Sequence, residues 1–142
     1  LANKLAVAEG TSLKHPIVEF YYKNDALNDP FVNDEQILAL GWAQSEDLAI
    51  LKSQAIEINN ILLNAFNKVG LKLIDFKIEF GFDSTGKIIL SDEISPDCMR
   101  LWDSKTNEKL DKDRFRRDLG SVDIAYLEVY ERLSKSKGVP IL

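Results

Sequence analysis

Lys77, Glu79 and Asp92 are the side chains whose types and spacing most clearly suggest chemistry. The first two lie on one face of an alternating apolar and polar run, and the third follows a tight turn. If that turn leaves Phe82 opposite Lys87, Lys77 pairs with Asp92 across a hairpin, and Glu79 lies diagonally beside the same carboxylate. Two neighbouring carboxylates repel unless a positive group sits between them. Mg²⁺ suits that position, since it often binds one or two carboxylates together with nucleotide phosphates.

The hairpin register that this arrangement needs is one of two that the turn allows. A three-residue loop, Ser84–Gly86 with a bulge, places Asp92 opposite Ile78 and separates it from Glu79. A further interpretation treats the charges as a solvated strand face with cross-strand ion pairs, which is common on hairpins. Spacing alone therefore favours a structural role for these charges over a metal site.

The segment that carries these charges is typical of two strands joined by a turn. Leu71–Phe82 alternates, and we expect one of its faces to be buried. The apolar side chains on that face are Ile74, Phe76, Ile78 and Phe80. Asp83–Gly86 has turn chemistry, and Lys87–Ile94 is the expected return strand. Ser95–Asp111 is expected to be mostly loop, because Pro96 is hostile to regular strand pairing.

Two amphipathic helices are predicted on either side of this segment. Ser45–Val69 begins at a capping serine, carries apolar residues at helical spacing, and is followed by Gly70 as a left-handed stop. Arg114–Ser136 is the second helix. Four of its apolar residues are expected to face the core, namely Ile124, Leu127, Tyr130 and Leu133. The pattern predicts an α+β fold in which an antiparallel sheet containing the hairpin is flanked by both helices.

Composition limits the classes of partner. The chain has 142 residues, of which 45% are hydrophobic and 29% charged, and we expect a single globular domain over residues 1–142. Its net charge of −5 argues against a nucleic-acid partner, because phosphate binding usually shows as a basic surface. No apolar run approaches the roughly 20 residues of a membrane helix, so no membrane partner is expected. Cys98 is the only cysteine, which excludes an internal disulfide and favours a reducing cytoplasm.

Six motifs follow one another in a fixed order along almost the whole chain. They are Tyr22–Ala26, Asn28–Pro30, Leu73–Gly81, Ser91–Asp97, Arg100–Asp103 and Leu110–Arg116. Their order and spacing resemble the SAICAR synthetases, the phosphoribosylaminoimidazole-succinocarboxamide synthases of purine biosynthesis. The resemblance implies a two-lobed fold like that of ATP-grasp and kinase-like enzymes. Residues 1–142 then correspond to the larger C-terminal lobe, and the N-terminal nucleotide-binding lobe lies outside this sequence.

The resemblance implies an ATP-dependent ligase. Such an enzyme joins the carboxylate of carboxyaminoimidazole ribonucleotide to the amine of L-aspartate through an acyl phosphate, and releases ADP and phosphate. Phosphorylation gives the carboxylate a leaving group, and catalysis of this step is mostly positioning and charge neutralisation. A homodimer is also implied. The alternatives are a non-catalytic nucleotide- or phosphometabolite-binding module, and an interaction domain with a charged hairpin.

The resemblance also assigns roles to the charged residues introduced above. Glu79 and Asp92 match the family's Mg²⁺ and nucleotide-phosphate carboxylates, so Mg²⁺ is the implied cofactor. Lys77 matches a lysine beside them, which makes it a candidate for catalysis and for nucleotide binding. The hairpin would therefore hold the nucleotide end of the reaction.

A second group of residues matches the substrate-binding positions. Ser95, Asp97 and Arg100 match the loop that receives the imidazole ribonucleotide. Asp97 is also a candidate catalytic residue, and Arg100 suits a phosphate because its planar fork matches phosphate oxygens. Further polar positions near the substrates are matched by Lys23, Asp25, Lys112 and Arg116. This group predicts a cationic site for substrates that carry carboxylates and phosphate.

Overall fold

The protein, seen in a computed structural model, is described at residues 2–111 and 122–136, and it divides into two compact units. The units are Leu1–Glu57 and Ile58–Leu142. One helix crosses the boundary between them, so the single domain expected over residues 1–142 stays a prediction. The mixture of helices and antiparallel strand pairs confirms the α+β class. No helix in the described part of the chain is both long and apolar enough to cross a membrane.

Six short strands in the described residues form three antiparallel pairs. The pairs are β1 (Phe20–Tyr21) with β2 (Phe31–Val32), β3 (Leu71–Phe76) with β6 (Met99–Asp103), and β4 (Phe80–Phe82) with β5 (Ile88–Leu90). The α-helices are α1 (Asp34–Ala39), α2 (Ser45–Lys68) and α3 (Val122–Lys135), and 3-10 turns lie at Asn3–Leu5, Asp25–Leu27 and Pro96–Cys98. The hairpin β4–β5 is thus a pair of its own, and not part of one larger sheet as the sequence suggested.

A small apolar core and a capped helix shape the first unit. The core consists of Val32, Ile37 and Leu48, which come from β2, α1 and α2. At the start of α1, the Asn33 side chain accepts a hydrogen bond from the Gln36 N–H, and the Gln36 side chain accepts one from the Asn33 N–H, both at 2.9 Å. This capping box satisfies two backbone donors near the helix N-terminus that lack partners within the helix.

Helix α2 confirms the long helix predicted over Ser45–Val69. Near its N-terminus, the Asp47 carboxylate accepts a hydrogen bond from the Gln44 N–H at 2.9 Å. The helix ends just before Gly70, whose φ of +71° is a left-handed conformation that glycine adopts without strain. Because Gly70 reverses the chain so abruptly, β3 begins at the next residue.

The second unit is built around β3 and β6, so the expectation that Ser95–Asp111 is mostly loop is wrong at Met99–Asp103, which forms β6. Leu71 and Leu101, from the two strands, are fully buried. The rest of their core consists of Phe66, Leu73, Met99, Leu110, Ala125 and Val129. Pro96 does not prevent the strand, because it lies in the 3-10 turn that precedes β6. Burial against β3, a long-range effect, makes this segment a strand.

A bulge in β3 changes which of its side chains face the core. Leu73 lies opposite Leu101, but the register then shifts, and Asp75 lies opposite Arg100. Leu71 and Leu73 belong to the core before the shift, and Phe76 packs against it afterwards. The expected buried row is therefore wrong at Ile74, because one extra residue reverses the alternation of the strand.

The hairpin β4–β5 adopts the register of the three-residue loop, so the pairing of Phe82 with Lys87 is wrong. Phe82 lies opposite Ile88, and the Asp83 N–H donates to the Lys87 carbonyl at 2.9 Å. The Asp83 carboxylate accepts hydrogen bonds from the N–H groups of Thr85 and Lys87 at 2.8 and 3.0 Å. The same carboxylate accepts a hydrogen bond from the Thr85 hydroxyl at 2.6 Å. This bond is the largest cause of the lowered pKa of Asp83, and the two N–H groups lower it further. Turn chemistry at Asp83 thus selects the register.

Helix α3 presents to the core a different face from the one expected. Ala125 and Val129 are each only 2% exposed, and Leu133 packs against the same core, as predicted. The other three expected core residues are 65%, 56% and 59% exposed, namely Ile124, Leu127 and Tyr130. The buried row thus follows a four-residue spacing along the helix, which the more apolar neighbouring row concealed.

Arg132 on α3 bonds to the ends of both core strands. Its guanidinium donates to the Asp103 carboxylate at 2.8 Å and to the Gly70 carbonyl at 3.3 Å, and it also pairs with Glu128. These bonds hold the Arg132 side of the helix against the ends of β3 and β6. The predicted start of the helix at Arg114 lies outside the described residues.

Candidate functional site

Two predicted site residues come together in the segment 77–79, which links β3 to β4. The Lys77 Nζ atom lies 2.8 Å from a carboxylate oxygen of Glu79. The Lys77 N–H donates to the Cys98 carbonyl at 2.6 Å, and the Glu79 carbonyl accepts from the Ser91 N–H at 2.9 Å. The segment is therefore tied to the loop before β6 on one side and to the end of β5 on the other.

Asp92 follows Ser91, but the observed register does not place it diagonally beside Glu79. Continuing that register puts Asp92 opposite Ile78, as the three-residue loop predicts. One Asp92 carboxylate oxygen accepts a hydrogen bond from the Glu93 N–H at 2.9 Å. Over residues 2–111 and 122–136, no group of three or more His, Cys, Asp or Glu side chains is arranged to hold a metal. Strand pairing thus gives no support to a shared metal site, and the resemblance alone argues for it.

The 3-10 turn before β6 gives Ser95 and Asp97 a defined geometry. The Ser95 hydroxyl accepts a hydrogen bond from the Asp97 N–H at 3.2 Å, and the Ser95 N–H donates to the Cys98 sulfur at 3.3 Å. Ser95 therefore caps the turn. The Asp97 carboxylate accepts a 2.6 Å hydrogen bond from the hydroxyl of Tyr126 on α3. The predicted substrate loop is thus anchored to a helix that the sequence did not connect with it.

Arg100 on β6 forms a bidentate ion pair with Asp75 on β3. Its Nε atom donates to one carboxylate oxygen at 2.8 Å, and its Nη2 atom donates to the other. This fork-to-fork geometry is the strongest that a guanidinium makes with a carboxylate. Sequence inspection assigned Asp75 no role, because the pairing joins residues 25 positions apart and depends on the bulge between them.

The remaining predicted substrate residues fall into two groups. In the first unit, Lys23 lies 2.8 Å from the Asp25 carboxylate and 3.5 Å from that of Asp29. The structure therefore brings Lys23 and Asp25 into contact, as exposed side chains around a 3-10 turn. Lys112 and Arg116 lie outside the described residues, and their roles stay predictions.

Two acidic residues with no predicted role are central to the second unit. Asp111 is fully buried, and its carboxylate accepts a hydrogen bond from the Leu101 N–H at 2.8 Å. Asp103 has a pKa far below its ordinary value, mainly because its carboxylate accepts from the Thr106 N–H and then because it accepts from Arg132. The polar turn after Asp103 is a sequence signal for its role, whereas Asp111 is marked only by its place in the motif Leu110–Arg116, which does not indicate that it is buried.

A surface cavity of about 370 Å³ lies at the far end of β6. Its lining consists of Val69, Gly70, Asp103, Ser104, Lys105, Thr106 and Arg132. None of the predicted site residues lines it, and the Arg132 guanidinium there already binds two carboxylates. The candidate site is therefore better placed at the segments 77–79 and 95–100 than at this cavity.

The second unit combines a buried antiparallel strand pair, a helix packed on it, and two polar segments that gather carboxylates and cations. These features define an α+β unit with charged side chains gathered on two neighbouring segments. The chain belongs to the SAICAR synthetase family, whose sequence model matches residues 1–133.

Individual relatives agree with this membership. The chain is 60% identical over 134 residues to the phosphoribosylaminoimidazole-succinocarboxamide synthase of Campylobacter fetus, and 59% identical to that of Campylobacter curvus. Each match covers 94% of this chain but only 56% or 57% of the relative, so the chain spans little more than half of their length.

Solved structures show the same relationship. The phosphoribosylaminoimidazole-succinocarboxamide synthase of Ehrlichia chaffeensis is 46% identical, with a TM-score of 0.88. The match covers 96% of this chain and 59% of the Ehrlichia chain. A SAICAR synthetase in complex with ADP is 44% identical with a TM-score of 0.89, covering 99% of this chain and 59% of its own. Similarity in sequence and in backbone therefore extends over almost all of this chain and over little more than half of these longer proteins.

Proposed function

We propose that this chain is part of an ATP-dependent ligase that joins L-aspartate to the carboxylate of carboxyaminoimidazole ribonucleotide in purine biosynthesis. The observation that carries the proposal is membership of the SAICAR synthetase family over residues 1–133. A relative that binds ADP supports ATP as the co-substrate. We also expect the homodimer and the cytoplasmic location that the sequence suggested.

The proposed reaction has two steps. The ribonucleotide carboxylate attacks the γ-phosphorus of ATP, the bond to ADP breaks, and an acyl phosphate forms. The amine of aspartate then attacks the acyl carbon, phosphate leaves with the electron pair of its C–O bond, and the nitrogen loses a proton as the amide forms. The protein contributes mainly by holding the reactants in line and by neutralising charge on the transferred phosphoryl group.

We assign the nucleotide end of the reaction to Lys77, Glu79 and Asp92. Mg²⁺ prefers oxygen ligands and usually needs only one or two carboxylates, because phosphates and water complete its coordination. The carboxylates of Glu79 and Asp92 are therefore a chemically suitable pair even without a third acidic neighbour. When bound, Mg²⁺ neutralises phosphate charge. Lys77, 2.8 Å from Glu79, supplies a further positive charge beside that carboxylate.

We assign the ribonucleotide to the segment 95–100, in which Ser95 and Asp97 belong to the 3-10 turn and Arg100 to β6. Tyr126 holds one Asp97 carboxylate oxygen through a 2.6 Å hydrogen bond, which favours a single orientation of that carboxylate. Arg100 adds a planar cation suited to phosphate oxygens. The more distant contacts are assigned to Lys23, Asp25, Lys112 and Arg116. Hydrogen bonds within the turn and to α3 support this assignment, because they restrain the turn that carries Ser95 and Asp97.

An ATP-consumption assay on the full-length gene product tests the proposal. We expect ADP to form only when both L-aspartate and the imidazole carboxylate are present. Asp92→Asn should lower kcat about a hundredfold or more, because an essential negative charge beside the nucleotide phosphates is lost. The matched control is Asp123→Asn, an exposed aspartate in the first turn of α3, which should keep full activity.

Two results would contradict this assignment. Uptake of ATP with Mg²⁺ in calorimetry, but no turnover with both substrates present, would indicate a binding module and not a ligase. Wild-type activity in Asp92→Asn would remove that residue from the nucleotide site. Circular dichroism should show that both variants are folded like the wild type, so that a loss of turnover reports chemistry and not unfolding.

A further inference from the structure

The bulge in β3 determines the surroundings of Arg100. Before the bulge, Leu73 lies opposite Leu101, and beyond it Asp75 lies opposite Arg100. An uninterrupted register would instead place Ile74 opposite Arg100 and Asp75 opposite Met99, which is buried in the core. The extra residue therefore moves a carboxylate from the core side of the strand to the side that carries Arg100.

The resulting ion pair between Asp75 and Arg100 has a defined two-point geometry, although both side chains are exposed. Asp75 engages Nε and Nη2 of Arg100, which fixes the plane of the guanidinium as well as its position. The two side chains are 50% and 41% exposed, and ion pairs at such exposure contribute little to folding stability. A bidentate contact held by a bulge is thus better explained by orientation of Arg100 than by stability.

We propose that Asp75 is a positioning residue that orients Arg100 toward the phosphate monoester of the ribonucleotide. The inference rests on the proposed function, since it takes the ribonucleotide as the ligand of Arg100. The carboxylate holds one edge of the guanidinium and turns the edge that carries Nη1 away from itself. A phosphate group binds best when a planar donor fork is already oriented, because less side-chain freedom is then lost on binding.

The first test is Asp75→Asn in the full-length protein, with each Michaelis constant measured separately. We expect the KM for the ribonucleotide to rise about tenfold, because loss of orientation weakens binding of substrate and transition state alike. We expect kcat to stay within about threefold and the KM for ATP and for aspartate within about twofold. Glu131→Gln is the matched control, since it removes an exposed ion pair of 2.7 Å on α3 and should change none of these constants.

The second test separates positioning from stability by exchanging the two charges. Asp75→Arg combined with Arg100→Asp keeps an ion pair across β3 and β6, so the melting temperature should return close to that of the wild type. The KM for the ribonucleotide should remain raised at least tenfold, because the cation now lies on the wrong strand. Recovery of the wild-type KM in the exchanged variant would show a purely structural pair and overturn the inference.

Other outcomes are equally decisive. An unchanged or lowered KM for the ribonucleotide in Asp75→Asn would overturn the positioning role, and a rise confined to aspartate would overturn the assignment to a phosphate. If the wild type turns over no ATP with both substrates present, the proposed function fails. Calorimetric titration with the ribonucleotide then tests Asp75 independently. A Kd raised about tenfold in Asp75→Asn supports the inference, and an equal Kd rejects it.

Discussion

The strand pair β3–β6 and the hairpin β4–β5 differ in what determines their register. In the hairpin, one residue, Asp83, closes the turn and pairs the strands through bonds that span four residues. In β3–β6, the partners are some 25 residues apart, and burial of Leu71 and Leu101 determines the pairing. The predicted nucleotide residues belong to the locally determined hairpin region, whereas Arg100 and its partner belong to the pair that depends on the core.

The largest expected effect comes from breaking the core-dependent pair. Leu101→Ala should reduce the free energy of unfolding by about 3 kcal/mol, because it removes a fully buried side chain and leaves a cavity between β6 and its neighbours. Ile89→Ala in the hairpin is the control. It should cost about 1 kcal/mol or less, since Ile89 is already partly solvated. Urea unfolding measures both, and equal losses would contradict the distinction between the two strand pairs.

A smaller effect on the free energy of unfolding is expected from Asp103, at the end of β6, and Asp83, which follows β4. The pKa values of Asp103 and Asp83 are both lowered in the folded protein. Their stabilising effect is therefore present above the unfolded pKa, near pH 4, and is lost as pH falls through the lower folded value. Asp103→Asn should destabilise the protein at pH 7, and its difference from the wild type should shrink on acidification below about pH 4.

Asp83→Asn should show the same sign with a smaller amplitude. Asp103 also accepts a hydrogen bond from Arg132 of α3, whereas Asp83 bonds only within its own turn among the contacts described. Urea unfolding at several pH values measures both differences. A penalty for Asp103→Asn that grows on acidification would reverse the sign worked out above.

The smallest effect should come from the outward face of α3. Ile124→Ser should change the free energy of unfolding by no more than about 0.5 kcal/mol, because Ile124 is 65% exposed. Val129→Ala on the opposite face should cost more, since Val129 is buried against β3 and β6. If Ile124→Ser were the more damaging of the two, the predicted helix face would be right after all and the observed orientation wrong.

Several elements followed from local sequence signals. Helix α2 and its stop at Gly70 were predicted correctly, because capping, periodicity and a left-handed glycine act within a few residues. A turn at Asp83 was also predicted, although the loop has three residues and shifts the pairing by one. The pairing of Lys77 with Asp92 across the hairpin was wrong, because the register shifts by one residue, and Lys77 forms its ion pair with Glu79.

The failures share a cause, which is competition between nearly equivalent patterns. Strand β6 was missed because its five residues resemble the loop around them until they pair with β3. The buried face of α3 was misassigned because its exposed row is more apolar than its buried one. Local periodicity favours the more apolar of two possible faces or segments. Which one is buried depends on the residues that pack against it in the folded protein.

The amino-acid sequence was sufficient for the α+β class, the main helix, the hairpin turn and, through its ordered motifs, the SAICAR synthetase family. Tertiary contacts were needed to pair Asp75 with Arg100 and Tyr126 with Asp97. Helix stops and turns are decided by backbone conformations a few residues apart, so they can be seen in a short window. The partners of Arg100 and Asp97 are decided by a one-residue bulge and by the rotation of a helix, and both depend on burial of a shared core.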